Sequence, residues 1–387
     1  LAWTTTPWTL PSNTALTLGA DIDYALVATY NPYTFQPQLV VLAETVLKKH
    51  FNAAFTATEI LKAPENSKSP IPYKILGSVK GSQLLEIRYE QLIPLVQPAE
   101  HPENAFKIIS GDFVTTEEGT GIVHTAPTFG ADDARVAAQW KVPGMRVKDE
   151  QGNLVPLVDL HGKFRPELGE WAGMLVKQEY YETGKAPEKS LDVSISIYLK
   201  MQNKAFKVEK YEHSYPHCWR HKTPVIYRAA AQWFVRMDEG EGVFTRDKAS
   251  KTLRQLALDA IEQTQFYPEN GKTRLRDMIA NRPDWCISRQ RNWGVPLPFF
   301  LHKVTGELHP QTMAFMDKAA DLVEAGGVES WSKLDPAEWL GAEAAEYSKS
   351  SDILDVWFDS GTSFFHVLNP QQGSHPDAGH DELHEAD

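Results

Sequence analysis

The sequence has little cysteine, no long apolar run and a deficit of positive charge, and each shortage excludes a class of protein. Only Cys218 and Cys286 occur among 387 residues, so a disulfide framework is excluded and a reducing cytoplasm is expected. No apolar run approaches membrane-spanning length, and no secretion signal opens the chain. The formal net charge of −12 argues against a surface that coats nucleic acid, although a local basic strip could still bind one.

Several familiar signatures are also missing. The chain has no Gly-x-Ser-x-Gly nucleophile elbow, no P-loop and no His-Glu-x-x-His zinc helix. It has no internal repeats, so a solenoid is not expected. It starts at Leu1 within a strand-like run and ends in "GSHPDAGHDELHEAD" without a closing element, so we expect it to be a piece of a longer protein.

The length suits two or three domains, and the pattern changes twice along the chain. Residues 1–187 alternate short strands, short helices and turns, including a hairpin around Gly152-Asn153, which predicts an α+β, barrel-like domain. Residues 188–236 begin with a helix and continue into a stretch rich in aromatic residues, His and Arg. Residues 237–387 alternate strands with long helices, as a parallel α/β sheet requires, with "LDVWFDSG" as an inner strand.

The row Thr4, Thr5 and Thr6 stands between Trp3 and Pro7 at the start of the chain. A β-branched run favours a strand, which the following prolines would end. One interpretation is a solvated strand edge. The other is a rim of hydroxyls that binds a sugar, a phosphate or a water.

The segment "GTGIVHTAPTFGADD" combines a histidine and two carboxylates. Its glycines do not make a dinucleotide fingerprint, because the third glycine is missing and a strand follows. His124 ends an apolar strand, whereas Asp132 and Asp133 open a helix. One aspartate is expected to cap the helix, which leaves the other available to hold a cation such as an ammonium group.

The segment "HSYPHCWRH" raises the question of a metal. Cys218 and His221 have the spacing of half a zinc site, but no second close pair of Cys or His follows. The alternative is a packed aromatic turn, and we assign no metal.

A basic strip interleaved with tryptophan lies further along the chain. Its cations are Lys272, Arg274, Arg276, Arg282, Arg289 and Arg291, and its tryptophans are Trp285 and Trp293. Such a strip is either a solvated face or a surface on which phosphates bind and bases stack. Arg282, Arg289, Arg291 and Trp293 are the candidates for contact with RNA.

Five stretches in order, "WTTTPWTLPSN", "GTGIVHTAPTFGADD", "HSYPHCWRHKTPVIYRA", "NRPDWCISRQRNWGVPLPFF" and "LDVWFDSG", resemble the bacterial isoleucyl-tRNA synthetases, which are class I enzymes. The resemblance covers residues 1 to about 365. In the valyl and leucyl siblings an Arg normally follows a Thr pair, whereas this chain has Thr6 there.

The resemblance implies a domain layout. Residues 1–187 are similar to most of the barrel-like editing domain, and residues 188–236 to the return of the connecting insertion. Residues 237–387 are similar to part of the class I Rossmann-type catalytic domain. The two ATP-binding signatures of the family, His-Ile-Gly-His and Lys-Met-Ser-Lys-Ser, are absent, so we expect no aminoacyl-adenylate from this piece.

The resemblance also implies roles for individual residues. Asp133 matches the carboxylate that holds the α-ammonium group of the substrate, with Asp132 beside it as a second substrate-binding candidate. His124 matches a residue that lines the side-chain pocket and helps reject isoleucine. The row of Thr4, Thr5 and Thr6 matches the segment that holds the terminal adenosine and places the attacking water, and Asn13 matches a substrate contact.

These matches imply post-transfer editing of mischarged Val-tRNA-Ile within an isoleucine–tRNA ligase that uses isoleucine, ATP and Mg²⁺. The piece itself is expected to need no cofactor, and zinc stays open because many relatives have Cys-x-x-Cys where this chain has Cys218 and His221. A cytoplasmic monomer with no membrane partner is expected. The alternatives are a valyl-type sibling that edits Thr-tRNA and a tRNA-binding module without catalysis.

Overall fold

The computed structural model describes residues 1–66, 69–149, 152–238 and 251–364. The chain forms two compact units, Leu1–Ala230 and Ala231–Asp387. This division into two does not test the three domains expected from the sequence, with boundaries near 187 and 237, and those domains stay a prediction.

The described part of the first unit contains strands of three to ten residues, α-helices and short 3-10 helices. The strands are β1 (Ala15–Leu18), β2 (Asp23–Tyr30), β3 (Pro37–Ala43), β4 (Phe55–Ala57), β5 (Ile71–Lys80), β6 (Lys107–Ser110), β7 (Ile122–Thr125), β8 (Arg146–Lys148) and β9 (Leu154–Pro156). The helices are α1 (Leu47–His50), α2 (Ala131–Gln139) and α3 (Leu191–Met201). The antiparallel pair β8–β9 is the hairpin predicted around Gly152-Asn153.

Two open sheets organise this unit. The first has the order β3-β2-β5-β4, with β2 antiparallel to both neighbours and β4 parallel to β5. The second has the order β6-β1-β7, in which β1 is parallel to β6 and antiparallel to β7. Because the outer strands of each sheet do not pair with one another in the described residues, no closed barrel forms, and the barrel-like expectation is wrong in that respect.

The second sheet places His124, because β7 pairs with β1 so that His124 lies opposite Leu16. Helix α2 follows β7 after a short turn and carries Asp132 and Asp133 in its first turn. The turn residue Phe129 packs edge-to-face on Trp8 in a buried apolar cluster, with ring centroids 5.1 Å apart. The fold thereby brings the start of the chain against the β7–α2 turn.

The threonine row does not form the expected strand. Only Trp3 makes a bridge, to Val123, and a 3-10 helix then spans Pro7–Ser12. Pro7 begins this helix because its ring fixes φ in the helical range and its missing N–H would have no partner there. The proline therefore starts an element where the sequence pattern predicted a stop.

The second unit contains short strands and longer helices. Its described strands are β10 (Phe234–Val235), β11 (Trp285–Cys286), β12 (Ser288–Arg289), β13 (Phe300–His302), β14 (Tyr347–Lys349) and β15 (Ile353–Leu354). Its described helices are α4 (Leu253–Gln263), α5 (Asn270–Ala280), α6 (Thr312–Gly326), α7 (Glu329–Lys333), α8 (Pro336–Leu340) and α9 (Val356–Gly361).

The expected parallel sheet is not found among the described residues of this unit. β10 pairs with β11, β12 with β15 and β13 with β14, and all three pairs are antiparallel. The segment "LDVWFDSG" was predicted as an inner strand, but only its first residue lies in β15. The Asp355 side chain accepts a hydrogen bond from the N–H of Trp357, at 3.1 Å, and so caps α9, which contains the rest.

None of the helices in the described residues combines the length and the apolar character that a membrane span requires.

Candidate active site

A cavity of about 290 Å³ lies near the start of the chain in the first unit. Its walls come from three segments: the threonine row with the 3-10 helix, the β7–α2 turn, and the stretch 215–227. The lining residues are Thr4, Thr6, Trp8, Thr9, His124, Ala126, Phe129, Asp133, Tyr215, Pro216 and Tyr227. Of the five side chains predicted for catalysis, only Thr5 is absent from this wall.

The threonine row is shaped by hydrogen bonds to its own backbone. Thr4 Oγ1 accepts from the N–H of Thr6 at 3.0 Å. The carbonyl of Thr6 accepts from the N–H of Thr9 at 3.1 Å and from its hydroxyl at 2.8 Å. In the part of the chain that the structure describes, the hydroxyls of Thr4 and Thr6 donate to no protein acceptor, so both can donate to a ligand in the cavity.

His124 is a buried side chain, 8% exposed, with both ring nitrogens close to polar partners. Nε2 lies 3.0 Å from Thr9 Oγ1, and Nδ1 lies 2.9 Å from Asn13 Nδ2. Burial lowers the pKa of the imidazole to about 4, because the charged form would lose its hydration. His124 is therefore neutral at physiological pH.

Asn13 lies behind His124 and is absent from the cavity wall. It is 4% exposed, and its Nδ2 donates to the carbonyl of Ala15 at 2.8 Å as well as facing His124. Its Oδ1 accepts from the hydroxyl of Tyr89 at 2.6 Å. The predicted substrate contact of Asn13 stays a prediction, whereas its contact with His124 is direct.

Asp133 contributes a half-buried carboxylate to the cavity. Its Oδ2 accepts from the N–H of Ala126 at 2.8 Å, which ties α2 to the preceding turn. Burial raises the pKa of this carboxyl above its ordinary value. A cationic ligand in the cavity would lower that pKa again, because a nearby positive charge favours the ionised form.

Asp132 differs from Asp133 in exposure, in its distance from the cavity wall and in its ion pair. It is exposed, it is absent from the cavity wall, and it lies 3.5 Å from Arg135, which also pairs with Asp112 at 2.6 Å. Neither aspartate makes a capping hydrogen bond from the N-cap position, which is occupied by Gly130. The expected division into one cap and one ligand is therefore not observed, although only Asp133 faces the cavity.

Three residues that hold the cavity wall in place were not predicted from the sequence: Thr9, Tyr89 and Asp192. Asp192, in the first turn of α3, accepts from the N–H of Trp8 at 2.9 Å and so anchors the 3-10 helix. Burial raises its pKa to about 6. No local pattern marks Tyr89 or Asp192, because their partners lie 76 and 184 residues away along the chain.

The cysteine–histidine pair forms a local turn. Cys218 Sγ lies 3.5 Å from both Nδ1 and the backbone N of His221. Two donors are half of what a structural zinc site needs. The described residues contain no group of three or more His, Cys, Asp or Glu side chains able to hold a metal.

The basic strip is divided between paired and exposed cations. Lys272 and Arg276 both approach Glu262, at 3.0 and 3.4 Å. Arg289 pairs with Asp355, whose side chain is buried. Arg282 and Arg291 are exposed, and their guanidinium groups have no ion pair within the described ranges.

Trp293 is 73% exposed. Together with Arg291 it borders a smaller cavity of about 160 Å³ in the second unit. Two of the three exposed candidates, Arg291 and Trp293, thus lie at one concave surface, whereas Arg282 does not line it and Arg289 is paired with Asp355.

Comparison with known protein families identifies the family of this chain. Residues 6–382 match the family model described as tRNA synthetases class I (I, L, M and V). The chain belongs to this family, which also establishes the fold class of the whole at that level.

Individual relatives narrow the resemblance to the isoleucine enzymes. The chain is 43% identical over 388 residues to the isoleucine–tRNA ligase of Stutzerimonas stutzeri (strain A1501), a match that covers 100% of this chain and 35% of the relative. It is 42% identical over 382 residues to that of Cytophaga hutchinsonii, covering 93% of this chain and 33% of the relative. The resemblance to isoleucyl-tRNA synthetases is thereby confirmed, and the chain spans about a third of the length of these curated relatives.

Among solved structures, a crystal structure of GlLeuRS-CP1 is similar with a TM-score of 0.32 and 16% identity, over 55% of this chain and 84% of that one. A likeness at this level carries no weight for fold or function.

Proposed function

We propose that the first unit hydrolyses the ester bond of a mischarged aminoacyl-tRNA, Val-tRNA-Ile, within an isoleucine–tRNA ligase. The observation that carries this proposal is the single cavity that joins the Asp133 carboxylate, the hydroxyls of Thr4 and Thr6, and a neutral His124. A carboxylate suits an ammonium group, and a hydroxyl rim suits ribose and water.

In the proposed reaction Asp133 binds the α-ammonium group of the aminoacyl ester. The buried position of the carboxylate strengthens this charge pair, because less water screens it. Thr4 and Thr6 hold the terminal ribose and orient a water molecule toward the ester carbonyl. The water oxygen adds to the carbonyl carbon, the bond to the ribose oxygen breaks, and the ribose oxygen takes the proton that the water gives up.

No side-chain nucleophile is required for this step. An aminoacyl ester is already activated, so holding the water and the carbonyl in line can supply much of the acceleration. His124 serves as a rigid wall of the side-chain pocket, which accepts valine and rejects the larger isoleucine.

The need for such a site follows from the limits of apolar recognition. One methylene in an apolar pocket is worth only about 1–3 kcal/mol, a range for which isoleucine against valine is itself a standard example. A second site that is too small for isoleucine removes the valyl product that the first site cannot exclude.

The complete protein is proposed to charge tRNA-Ile with isoleucine, using ATP and Mg²⁺, as a cytoplasmic monomer. These proposals concern more than the present chain, which spans about a third of its relatives and lacks both ATP-binding signatures in its sequence. The proposed ATP–Mg²⁺ chemistry is therefore assigned to no residue here.

A deacylation assay with Val-, Thr- and Ile-tRNA tests the editing proposal against its alternatives. Preferential hydrolysis of Val-tRNA-Ile is expected in the parent synthetase. Preferential hydrolysis of Thr-tRNA would favour a valyl-type enzyme. Salt-sensitive tRNA binding without turnover would favour a binding module that uses Arg282, Arg291 and Trp293.

A further inference from the structure

Behind the cavity, a series of buried hydrogen bonds links Tyr89, Asn13, His124 and Thr9. The orientation of the Asn13 amide determines which atom donates in each of these bonds. A carbonyl oxygen only accepts hydrogen bonds, so the Asn13 atom that faces the carbonyl of Ala15 at 2.8 Å must be the NH₂ group. The carbonyl of Thr125, at 3.4 Å, favours the same orientation.

This orientation determines the protonation of His124. The second hydrogen of the Asn13 NH₂ group points to Nδ1 of His124, at 2.9 Å, so Nδ1 must accept. A neutral imidazole with an accepting Nδ1 carries its hydrogen on Nε2. His124 is therefore the Nε2–H tautomer.

The hydrogen bonds of Thr9, at the other end of this series, agree with the Nε2–H tautomer. Nε2 lies 3.0 Å from Thr9 Oγ1, which can accept because its own hydrogen points to the carbonyl of Thr6, at 2.8 Å. The series of hydrogen bonds thus ends at the carbonyl of Ala15 on one side and at the carbonyl of Thr6 on the other, and every donor between them has an acceptor. Neither ring nitrogen of His124 is left to remove a proton from water, so His124 acts through its position.

Tyr89, which does not line the cavity, adds the last hydrogen bond of this series. Its hydroxyl donates to Oδ1 of Asn13 at 2.6 Å, and burial raises its pKa so that the proton stays in place. Its backbone N–H donates to the carbonyl of Phe106 at 2.9 Å, and its ring meets that of Phe106 edge-to-face with centroids 6.1 Å apart. Neither contact depends on the hydroxyl.

We infer that Tyr89 is a positioning residue for selectivity, which holds His124 in one tautomer and one place through the Asn13 amide. Without the hydroxyl, Oδ1 of Asn13 would be a buried acceptor with no donor, which is strongly unfavourable. The amide would then be held only through its NH₂ group, by Ala15 and His124, so its donor to Nδ1 of His124 would be placed less firmly. The selectivity part of this inference rests on the proposed editing function, whereas the tautomer part does not.

The first test is ¹⁵N NMR of the histidine-labelled 387-residue chain. The sequence has 13 histidines, so His124→Gln identifies the signal of His124. Wild type is expected to show the Nε2–H tautomer with a depressed pKa, and Tyr89→Phe is expected to show mixed tautomers with a higher pKa. A wild-type Nδ1–H tautomer, or a Tyr89→Phe spectrum unchanged at His124, would overturn the inference.

Tyr24→Phe is the matched control. The Tyr24 hydroxyl is fully buried and also donates a hydrogen bond of 2.6 Å, to the carbonyl of Gly121, but it has no part in the series that links Asn13 and His124. It should lower the melting temperature without changing the His124 tautomer. An equal change at His124 in both variants would reduce the Tyr89 effect to general loosening and overturn the inference.

The second test measures selectivity in the parent synthetase. Tyr89→Phe is expected to reduce the preference for Val-tRNA-Ile over Ile-tRNA-Ile by about tenfold, through faster hydrolysis of the isoleucyl ester. A shifted His124 tautomer with unchanged selectivity would remove Tyr89 from the selectivity mechanism. If wild type hydrolyses neither ester, the proposed function fails, while the NMR measurement still decides the tautomer.

Discussion

The cavity wall of the first unit and the basic strip of the second unit are built in opposite ways. The wall joins residues far apart in sequence, since Thr9 meets His124 across 115 positions. Behind the wall, Asn13 meets His124 across 111 positions and Tyr89 across 76. The strip is continuous in sequence, but half of its cations, Lys272, Arg276 and Arg289, are engaged with acidic side chains of their own unit.

The difference teaches how far local sequence specifies a binding surface. Leaving a buried polar group unpaired costs free energy, and both ring nitrogens of the buried His124 have partners from distant parts of the sequence. Exposed charges have no such cost, and each is free to pair with a nearby acid at little gain. A dense basic run therefore indicates fewer ligand contacts than its charge suggests.

The largest effect is expected from removing the charge of Asp133, the charged side chain that lines the cavity among the described residues. Asp133→Asn keeps a side-chain oxygen for the N–H of Ala126 but no longer attracts an ammonium group. Deacylation of Val-tRNA-Ile by the parent synthetase should fall about 100-fold or more, because a buried charge pair loses one member.

Asp132→Asn provides the control for this change. Asp132 is exposed and pairs with Arg135, so its replacement should leave the rate of deacylation within about twofold. Equal losses in the two variants would mean that the cavity does not distinguish the neighbouring carboxylates, and the contrast between wall and strip would lose its main support.

A smaller effect on rate, but a clear effect on selectivity, is expected for the wall. His124→Ala enlarges the cavity where the neutral ring stands, so Ile-tRNA-Ile should become a substrate and the preference for the valyl ester should drop about tenfold or more. The measurement is the ratio of the two deacylation rates in the parent synthetase.

His309→Ala is the matched control, because His309 is equally buried, at 6% exposure, and is hydrogen-bonded to Glu343 in the second unit. Its loss should destabilise the protein without altering the ratio. An unchanged ratio in His124→Ala would show that the ring does not shape the pocket.

The sequence predicted those residues of the cavity wall that stand in a recognisable local pattern. Asp133 and His124 stood out because a carboxylate opens a helix and a histidine ends an apolar strand, and both line the cavity. The threonine row was recognised, but its strand was not, because the constraint at Pro7 begins a helix as readily as it ends a strand.

Other features depend on tertiary pairing that no local pattern reveals. Tyr89 and Asp192 contact the site through partners that only the fold brings near. The "LDVWFDSG" segment is apolar enough for a strand, yet Asp355 caps a helix there. Open sheets and barrels share strand patterns, so sheet closure could not be predicted from short strands alone.

Substituting a cation of the basic strip should weaken tRNA binding only where that cation is exposed. Arg282→Gln and Arg291→Gln are each expected to weaken tRNA binding a few-fold and to lower the slope of log affinity against log salt by about 1. Arg289→Gln should instead destabilise the second unit, because Asp355 would remain buried without its ion pair. An unaltered salt slope in both exposed variants would assign the strip to a solvated face.

The smallest effect is expected at the anchor of the wall, where Asp192 accepts from the N–H of Trp8. Burial raises the pKa of this carboxyl from 3.8 to about 6, so the folded chain binds the proton more tightly than the unfolded chain. Stability from this group is therefore greatest at low pH and falls as pH rises toward 6.

Asp192→Asn keeps an acceptor for Trp8 but removes the buried charge, so the melting temperature of the first unit should rise by about 2–4 °C at pH 7.5. Near pH 4, where the folded wild-type carboxyl is already protonated, the gain should vanish. Asp335→Asn, at an exposed helix cap bonded to the N–H of Ala337, should show no gain at either pH. A gain independent of pH would mean that packing, and not the buried charge, limits stability at this anchor.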